Sequence, residues 1–191
     1  MNPDDSPIKR TALSYLEAAL LTMDPDAEPT PFVIVGGPQT MAHVGLHSLD
    51  DGDFDDTAGT VLPALIVLNA ADEVALVTFL DDPEICGDDV ECAAVANWGP
   101  QGHSLSVAPV TRRHEQPPII GGWRDSGAST MALDSVNNGV RHGTALLERL
   151  SDPDADELRE QIDLIRITAA TEDTDVLPLT VDALRRWGWL D

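Results

Sequence analysis

Near the N-terminus the apolar positions fall at helical spacing. Ala12, Tyr15, Leu16, Ala19, Leu20 and Met23 follow the i, i+3, i+4 rhythm of one buried helical face. Ser6 stands where an N-cap accepts main-chain N–H bonds, and Pro7 suits the first helical position. Asp24-Pro25-Asp26 ends this helix, because the residue before a proline resists helical geometry.

The rhythm then shortens to two. Residues 31–36 (PFVIVG) are short, apolar and β-branched, which predicts a buried strand. After the turn residues Gly37-Pro38-Gln39, Ala42, Val44 and Leu46 alternate with Met41, His43, Gly45 and His47. A β-hairpin over residues 31–48 is expected. Residues 57–71 fit either a strand or a helix. Pro63 is tolerated only in a first helical turn, so we expect a helix beginning near Val61, with a hairpin partner as the alternative. Residues 73–80 (EVALVTFL) are apolar on both faces, as a central strand is. Residues 90–98 and 103–110 read as two more strands, joined by the turn residues Gly99-Pro100-Gln101-Gly102. Pro117-Pro118 and Gly121-Gly122 make residues 112–126 look like an irregular connection.

Beyond it the helical period returns. Leu133, Val136, Val140, Leu147 and Leu150 predict one helix, and Leu158, Ile162, Ile165 and Ala169 a second. Thr180 is a candidate cap for a short helix over residues 181–187, closed by Gly188. The expected fold is α+β: a single four- or five-stranded, largely antiparallel sheet packed by an N-terminal helix and a C-terminal helical region. The expected division is residues 1–125 for the sheet with its helix and 126–191 for the helical part.

Composition sharpens this picture. The 191 residues carry 34 Asp+Glu against 11 Lys+Arg, a formal charge of −23, and Lys9 is the only lysine. Direct binding to nucleic acid is excluded as an expectation, because phosphate contacts need clustered Lys and Arg. The acidic residues are shared among nearly all loops. That pattern suits a surface adapted to high salt, where like-charge repulsion is screened. The competing account is a carboxylate array that imitates a phosphate backbone. No apolar run reaches a membrane-span length, and the acidic, proline-bearing start is unlike a signal peptide. The expected location is therefore cytoplasmic, with Cys86 and Cys92 kept as thiols unless an oxidant bridges them.

Candidate chemistry is sparse. His43 and His47 would share a metal on a helix, but on a strand they stand about 13 Å apart, so exposed strand histidines are expected. Asp51, Asp53 and Asp55 alternate as calcium ligands do. They lack the Gly and Glu that an EF-hand needs at positions six and twelve, leaving a weak Ca²⁺ candidate in a solvated acidic loop. Ser129 and Thr130 precede a helix and follow the one locally basic stretch, with Arg112, Arg113 and Arg124. An anion pocket there competes with plain helix capping. Cys86 lies among carboxylates, which oppose a reactive thiolate. Trp123, Trp187 and Trp189 are large apolar side chains suited to packing or to an interface. No motif calls for a cofactor.

The leading expectation is a non-catalytic, soluble, acidic binding or accessory protein. It would act through contact with another protein or with itself, and in the sharper version as a decoy for a nucleic-acid-binding protein. The alternative is a small hydrolase or transferase acting on an anionic, phosphorylated ligand near the 112–130 connection.

Overall fold

A computed structural model describes residues 6–22, 30–37, 41–45, 54–81, 83–86, 91–100, 102–113, 116–126, 131–171 and 175–190. The elements run α1 (Pro7–Thr22), β1 (Phe32–Gly36), β2 (Met41–Gly45), α2 (Phe54–Asn69), β3 (Glu73–Leu80), the single turn α3 (Pro83–Cys86), β4 (Cys92–Gly99), β5 (Gly102–Arg113), β6 (Gln116–Ile120), β7 (Arg124–Ser126), α4 (Met131–Arg149), α5 (Asp156–Thr171) and α6 (Val176–Arg186). The fold is α+β, and its sheet is antiparallel and open. The sheet has seven strands where four or five were expected, in the order β2-β1-β3-β4-β5-β6, with β7 also paired to β5.

Both additional strands come from the segment expected to be irregular. β6 ends the strand order, so one of the successive Pro117 and Pro118 turns its missing N–H outward, where no ladder partner is needed, and the other falls at the register shift between Thr111 and Arg113. Val110 pairs with Ile120 and Val107 with Arg124. Three steps along β5 thus face four along the segment that holds β6 and β7, so one extra residue lies between the two ladders. Pro109 is the cause. The Val110 N–H donates to the Glu91 carbonyl at 2.9 Å, which turns the polar groups of Pro109 the other way, toward β6 and β7. There Pro109 accepts from the Gly121 N–H at 2.8 Å but has no N–H to return. A Cβ on residue 121 would lie 2.7 Å from the Pro109 ring, so only glycine fits against it.

The chain divides into two compact units interleaved in sequence. The first comprises Met1–Ile34, His43–Ser48 and Glu73–Thr130; the second comprises Val35–Ala42, Leu49–Asp72 and Met131–Asp191. In the first unit, Ser6 caps α1 as expected: its Oγ accepts from the Lys9 N–H at 3.0 Å. Ile8, Ala12, Leu13, Leu16 and Leu20 of α1 form a core with Phe32 and Ile34 of β1, Ala75 and Val77 of β3, and Ala93 and Val95 of β4. The alternate residues Val74 and Leu76 are buried too, as both-face apolarity predicts for β3.

The second unit is helical. α2 begins at Phe54, seven residues before the expected start at Val61, and carries Pro63 in its interior. Leu62, Ala64, Leu65, Ile66, Val67 and Leu68 are all buried, so this stretch is covered all round and packing outweighs the local cost of proline. α4 lies against α2 through Gly139 and Gly143. A Cβ on residue 139 would strike the Ala58 carbonyl oxygen, and one on residue 143 would reach Ile66 Cδ1 at 2.7 Å and Pro63 Cα at 2.9 Å. α6 starts at Val176, not at 181, because Asp175 rather than Thr180 is its cap and accepts from the Leu177 N–H at 3.2 Å. Thr180 sits buried inside the helix with its hydroxyl on the Val176 carbonyl. No helix of the described residues is long and apolar enough to cross a membrane.

Candidate functional site

The arginines near residues 112–124 do not converge on one site. Arg112 makes a two-pronged pair with Glu91, Nε to Oε2 at 2.7 Å and Nη2 to Oε1 at 2.8 Å. Arg124 donates through Nη2 to the Cys86 carbonyl at 2.8 Å, at the end of α3. Arg124 pairs in register with Val107, five residues before Arg112 on β5, which places the two arginines about 16 Å apart along the strand. Arg113 is exposed. Ser129 and Thr130 lie outside the described residues, as do His47, Asp51, Asp53 and His114. Asp55 falls within the first turn of α2 rather than in a loop. Among the described residues no three His, Cys, Asp or Glu side chains are grouped to hold a metal ion.

Arginine has a repeated task here. Arg166 of α5 donates to the Leu68 carbonyl at 2.8 Å and the Val67 carbonyl at 2.7 Å, at the end of α2, and pairs with Asp163. Arg159 donates to the carbonyls of Leu150 and Asp152, just past α4. Helix C-termini leave carbonyls unpaired and carry partial negative charge, so guanidinium groups suit them twice over. The tryptophans are spread similarly. Trp123 is half-buried against the core of the first unit, Trp189 is buried with the Arg149 guanidinium 4.3 Å from its ring, and Trp187 is exposed. Cys86 and Cys92 are both buried, and the Cys86 thiol donates to the Leu80 carbonyl at 3.3 Å.

A different place gathers polar groups. The sheet face under α1 is apolar along Val77, Ala93 and Val95, then changes character toward the β4–β5 turn. Asn97 stands in register between Ala75 and Ser104, and Gly99 pairs with Gly102 in the next row. Two glycines side by side contribute no side chain there, and Glu73 Cγ lies 3.4 Å from where a Cβ on Gly99 would stand. Gly102 has φ +108°, which favours glycine, and a Cβ there would meet nothing within 4 Å.

The result is a cavity of about 530 Å³ in the first unit, beside the N-terminal turn of α1. Lys9, Glu73, Asn97 and Ser104 line it, with exposed His103 at its rim. Lys9 and Asn97 are each only 9% exposed. Asn97 Oδ1 is shielded from solvent and has no hydrogen-bond partner among the described residues. A buried acceptor left unmade costs about 1–3 kcal/mol.

These residues were not singled out from sequence, although each breaks a local pattern. Lys9 lies on the phase of Ala12, Leu16 and Leu20, and Asn97 on the phase of Ala93 and Val95. A polar residue on an apolar stripe was the available signal. Compared with known protein families, curated proteins and solved structures, the chain matches none.

Proposed function

We propose that the protein is a binding protein whose ligand is a small polar molecule seated in the cavity between α1 and the β4–β5 turn. The observation that carries this reading is Asn97, a nearly buried amide whose acceptor has no partner among the described residues, in the wall of a cavity of ligand size. Natural interiors pair their buried polar atoms, and the exceptions collect where function requires them. The enzyme alternative places an anionic ligand near Arg112, Arg113, Arg124 and Ser129; Arg112 pairs with Glu91 and Arg124 bonds the Cys86 carbonyl.

Titration of the ¹⁵N-labelled full chain with a library of small polar fragments tests the reading. Chemical-shift changes should gather at Lys9, Asn97, Gly99, Gly102 and Ser104. Changes scattered elsewhere, or none at millimolar fragment, would overturn it.

A second reading keeps the expectation of a protein partner. Leu164 and Ile167 of α5 are 63% and 61% exposed, one turn apart, on a helix whose Glu157, Glu160 and Asp163 are also exposed. A second copy would bring like charges together, so the occupant that fits is a cationic amphipathic helix. A synthetic Leu/Lys amphipathic peptide should bind the wild type and lose roughly tenfold in affinity against Leu164→Asp. Equal binding to both would sink this reading.

A further inference from the structure

We propose that Cys86 and Cys92 are a reversible dithiol–disulfide pair, and that the disulfide fastens the single turn α3 to the sheet. The proposal is independent of the cavity beside α1.

Two lines of geometry bring the cysteines to one place. The first runs through Leu80, whose carbonyl accepts from the Cys86 thiol at 3.3 Å. Leu80 is also the register partner of Cys92 on β4. The Glu91 carbonyl is turned toward β5, where it accepts from the Val110 N–H, so the polar groups of the next residue, Cys92, turn toward β3. The Cys92 N–H thus meets the same Leu80 oxygen that holds the Cys86 sulfur. That puts the sulfur within about 6 Å of the Cys92 nitrogen.

The second line fixes the face of the sheet. Ala93 and Val95 point to α1, so Cys92 and Ala94 point to the opposite face. Arg124 belongs to that opposite face too, because it pairs with Val107 and Val107 with Ala94. Its guanidinium donates to the Cys86 carbonyl at 2.8 Å. α3 therefore lies over the face into which the Cys92 side chain projects, and both cysteines are fully buried there.

The step needs a two-electron oxidant, here a small disulfide of the glutathione type. One cysteine thiolate attacks the S–S bond of oxidised glutathione, releasing one glutathione and forming a mixed disulfide. The other thiolate attacks the protein sulfur of that mixed disulfide, which forms the Cys86–Cys92 bond and releases the second glutathione. Two electrons pass to the oxidant, and the two thiol protons end on the two glutathiones. The Cys86 S–H bond to Leu80 is given up, and a covalent link replaces it. Burial keeps the oxidant from the folded pair, so exchange waits on local opening of the four-residue turn, and the equilibrium rather than the rate is the quantity to read.

The test equilibrates the full chain with a glutathione redox buffer, alkylates the remaining thiols and determines the mass. Glu91 lies between the two cysteines, so cleavage after glutamate leaves their fragments joined only through the disulfide. A monomer lighter by two hydrogens, with those fragments joined, is expected. The equilibrium constant for exchange should be at least about tenfold larger in native buffer than in denaturant, where spacing along the chain acts alone. Oxidation should raise the melting temperature by about 5 °C, as closing a short loop in a chain of this length implies. Equal constants in the native and denatured chain would overturn the pairing, as would glutathione mixed disulfides or linked dimers in place of the internal bond. An internal disulfide that lowers the melting temperature would overturn the fastening of α3. Cys86→Ala should abolish both the joined fragments and the oxidant dependence of melting; if that dependence persists, it arises elsewhere and the proposal falls. The wild-type comparison decides the matter even if the variant does not fold.

Discussion

The end of α2 and the end of the β4–β5 pair treat the same materials in opposite ways. At α2, glycines on the neighbouring helix let main chains touch, and carbonyls that would be left over are met. Asn69 Nδ2 bonds the Leu65 oxygen, the Ala71 N–H the Ile66 oxygen, and Arg166 the oxygens of Val67 and Leu68. At the β4–β5 end, a Cβ on Gly102 would meet nothing within 4 Å, and the Asn97 oxygen has no partner among the described residues. Composition does not separate the two regions. What separates them is whether the surrounding structure comes in to close the gap. Regions that obey the packing and pairing rules report on stability, whereas a local breach of both rules together points to function.

The largest expected effect comes from undoing the saturation at α2. Arg166→Ala removes two charge-assisted bonds to main-chain oxygens from a half-buried site and should cost about 3 kcal/mol. Denaturant unfolding followed by circular dichroism measures it. A loss near zero would mean that water serves those carbonyls equally well, and the contrast with Asn97 would weaken. Next comes Gly139→Ala. Its Cβ would collide with the Ala58 oxygen, so α2 and α4 must part, at about 2 kcal/mol after alanine's better helix propensity is allowed for. The matched change Gly99→Ala, whose Cβ comes no nearer than 3.4 Å to Glu73, should stay within about 0.5 kcal/mol. Equal costs for the two would break the comparison outright.

Much of the architecture was legible because periodicity survives wherever one face is buried. α1, β3, β5, α4 and α5 emerge near their expected limits for that reason. The failures have specific causes. β6 and β7 were hidden by Pro117-Pro118 and Gly121-Gly122, residue types that normally mark loops. Their tolerance depends on lying at a sheet edge and opposite Pro109, which is long-range information. Pro63 places the start of the helix near Val61 on sequence grounds, but tertiary burial of α2 carries the helix through it. Asp175 and Thr180 are both acceptable caps, and only packing decides between them. The cavity was hardest. Lys9 and Asn97 were visible as polar residues in apolar phase, yet no spacing reveals that an amide oxygen lacks a donor.

Asn97→Leu tests that breach directly. The change keeps a similar volume and deletes the unpaired acceptor, so the variant should be more stable by about 1 kcal/mol while losing shifts from any fragment that binds the wild type. Thermal melting and the same titration read both quantities on one sample. A destabilised variant would mean that the amide is already satisfied, for example by water, and its resemblance to a ligand site would end there.

The smallest effect separates contact from backbone. α2 and α6 end in the same motif. After α2, the Ala71 N–H reaches back to the Ile66 carbonyl and the Ala70 N–H to Val67; after α6, the Trp189 N–H reaches Leu184 and the Gly188 N–H Arg185. These are paired C″→C3 and C′→C2 bonds, which place the C′ residue in the left-handed region. Gly188 occupies it at φ +67° without strain, whereas Ala70 occupies it at φ +47° with a Cβ. Ala70→Gly should therefore stabilise by about 0.5–1 kcal/mol, and Gly188→Ala should destabilise by about 1 kcal/mol, both read by thermal melting. If Ala70→Gly instead costs stability, the Ala70 methyl contributes contacts worth more than the strain it imposes. The tight packing seen along α2 would then extend past its last turn, widening the contrast with the open end of β4 and β5.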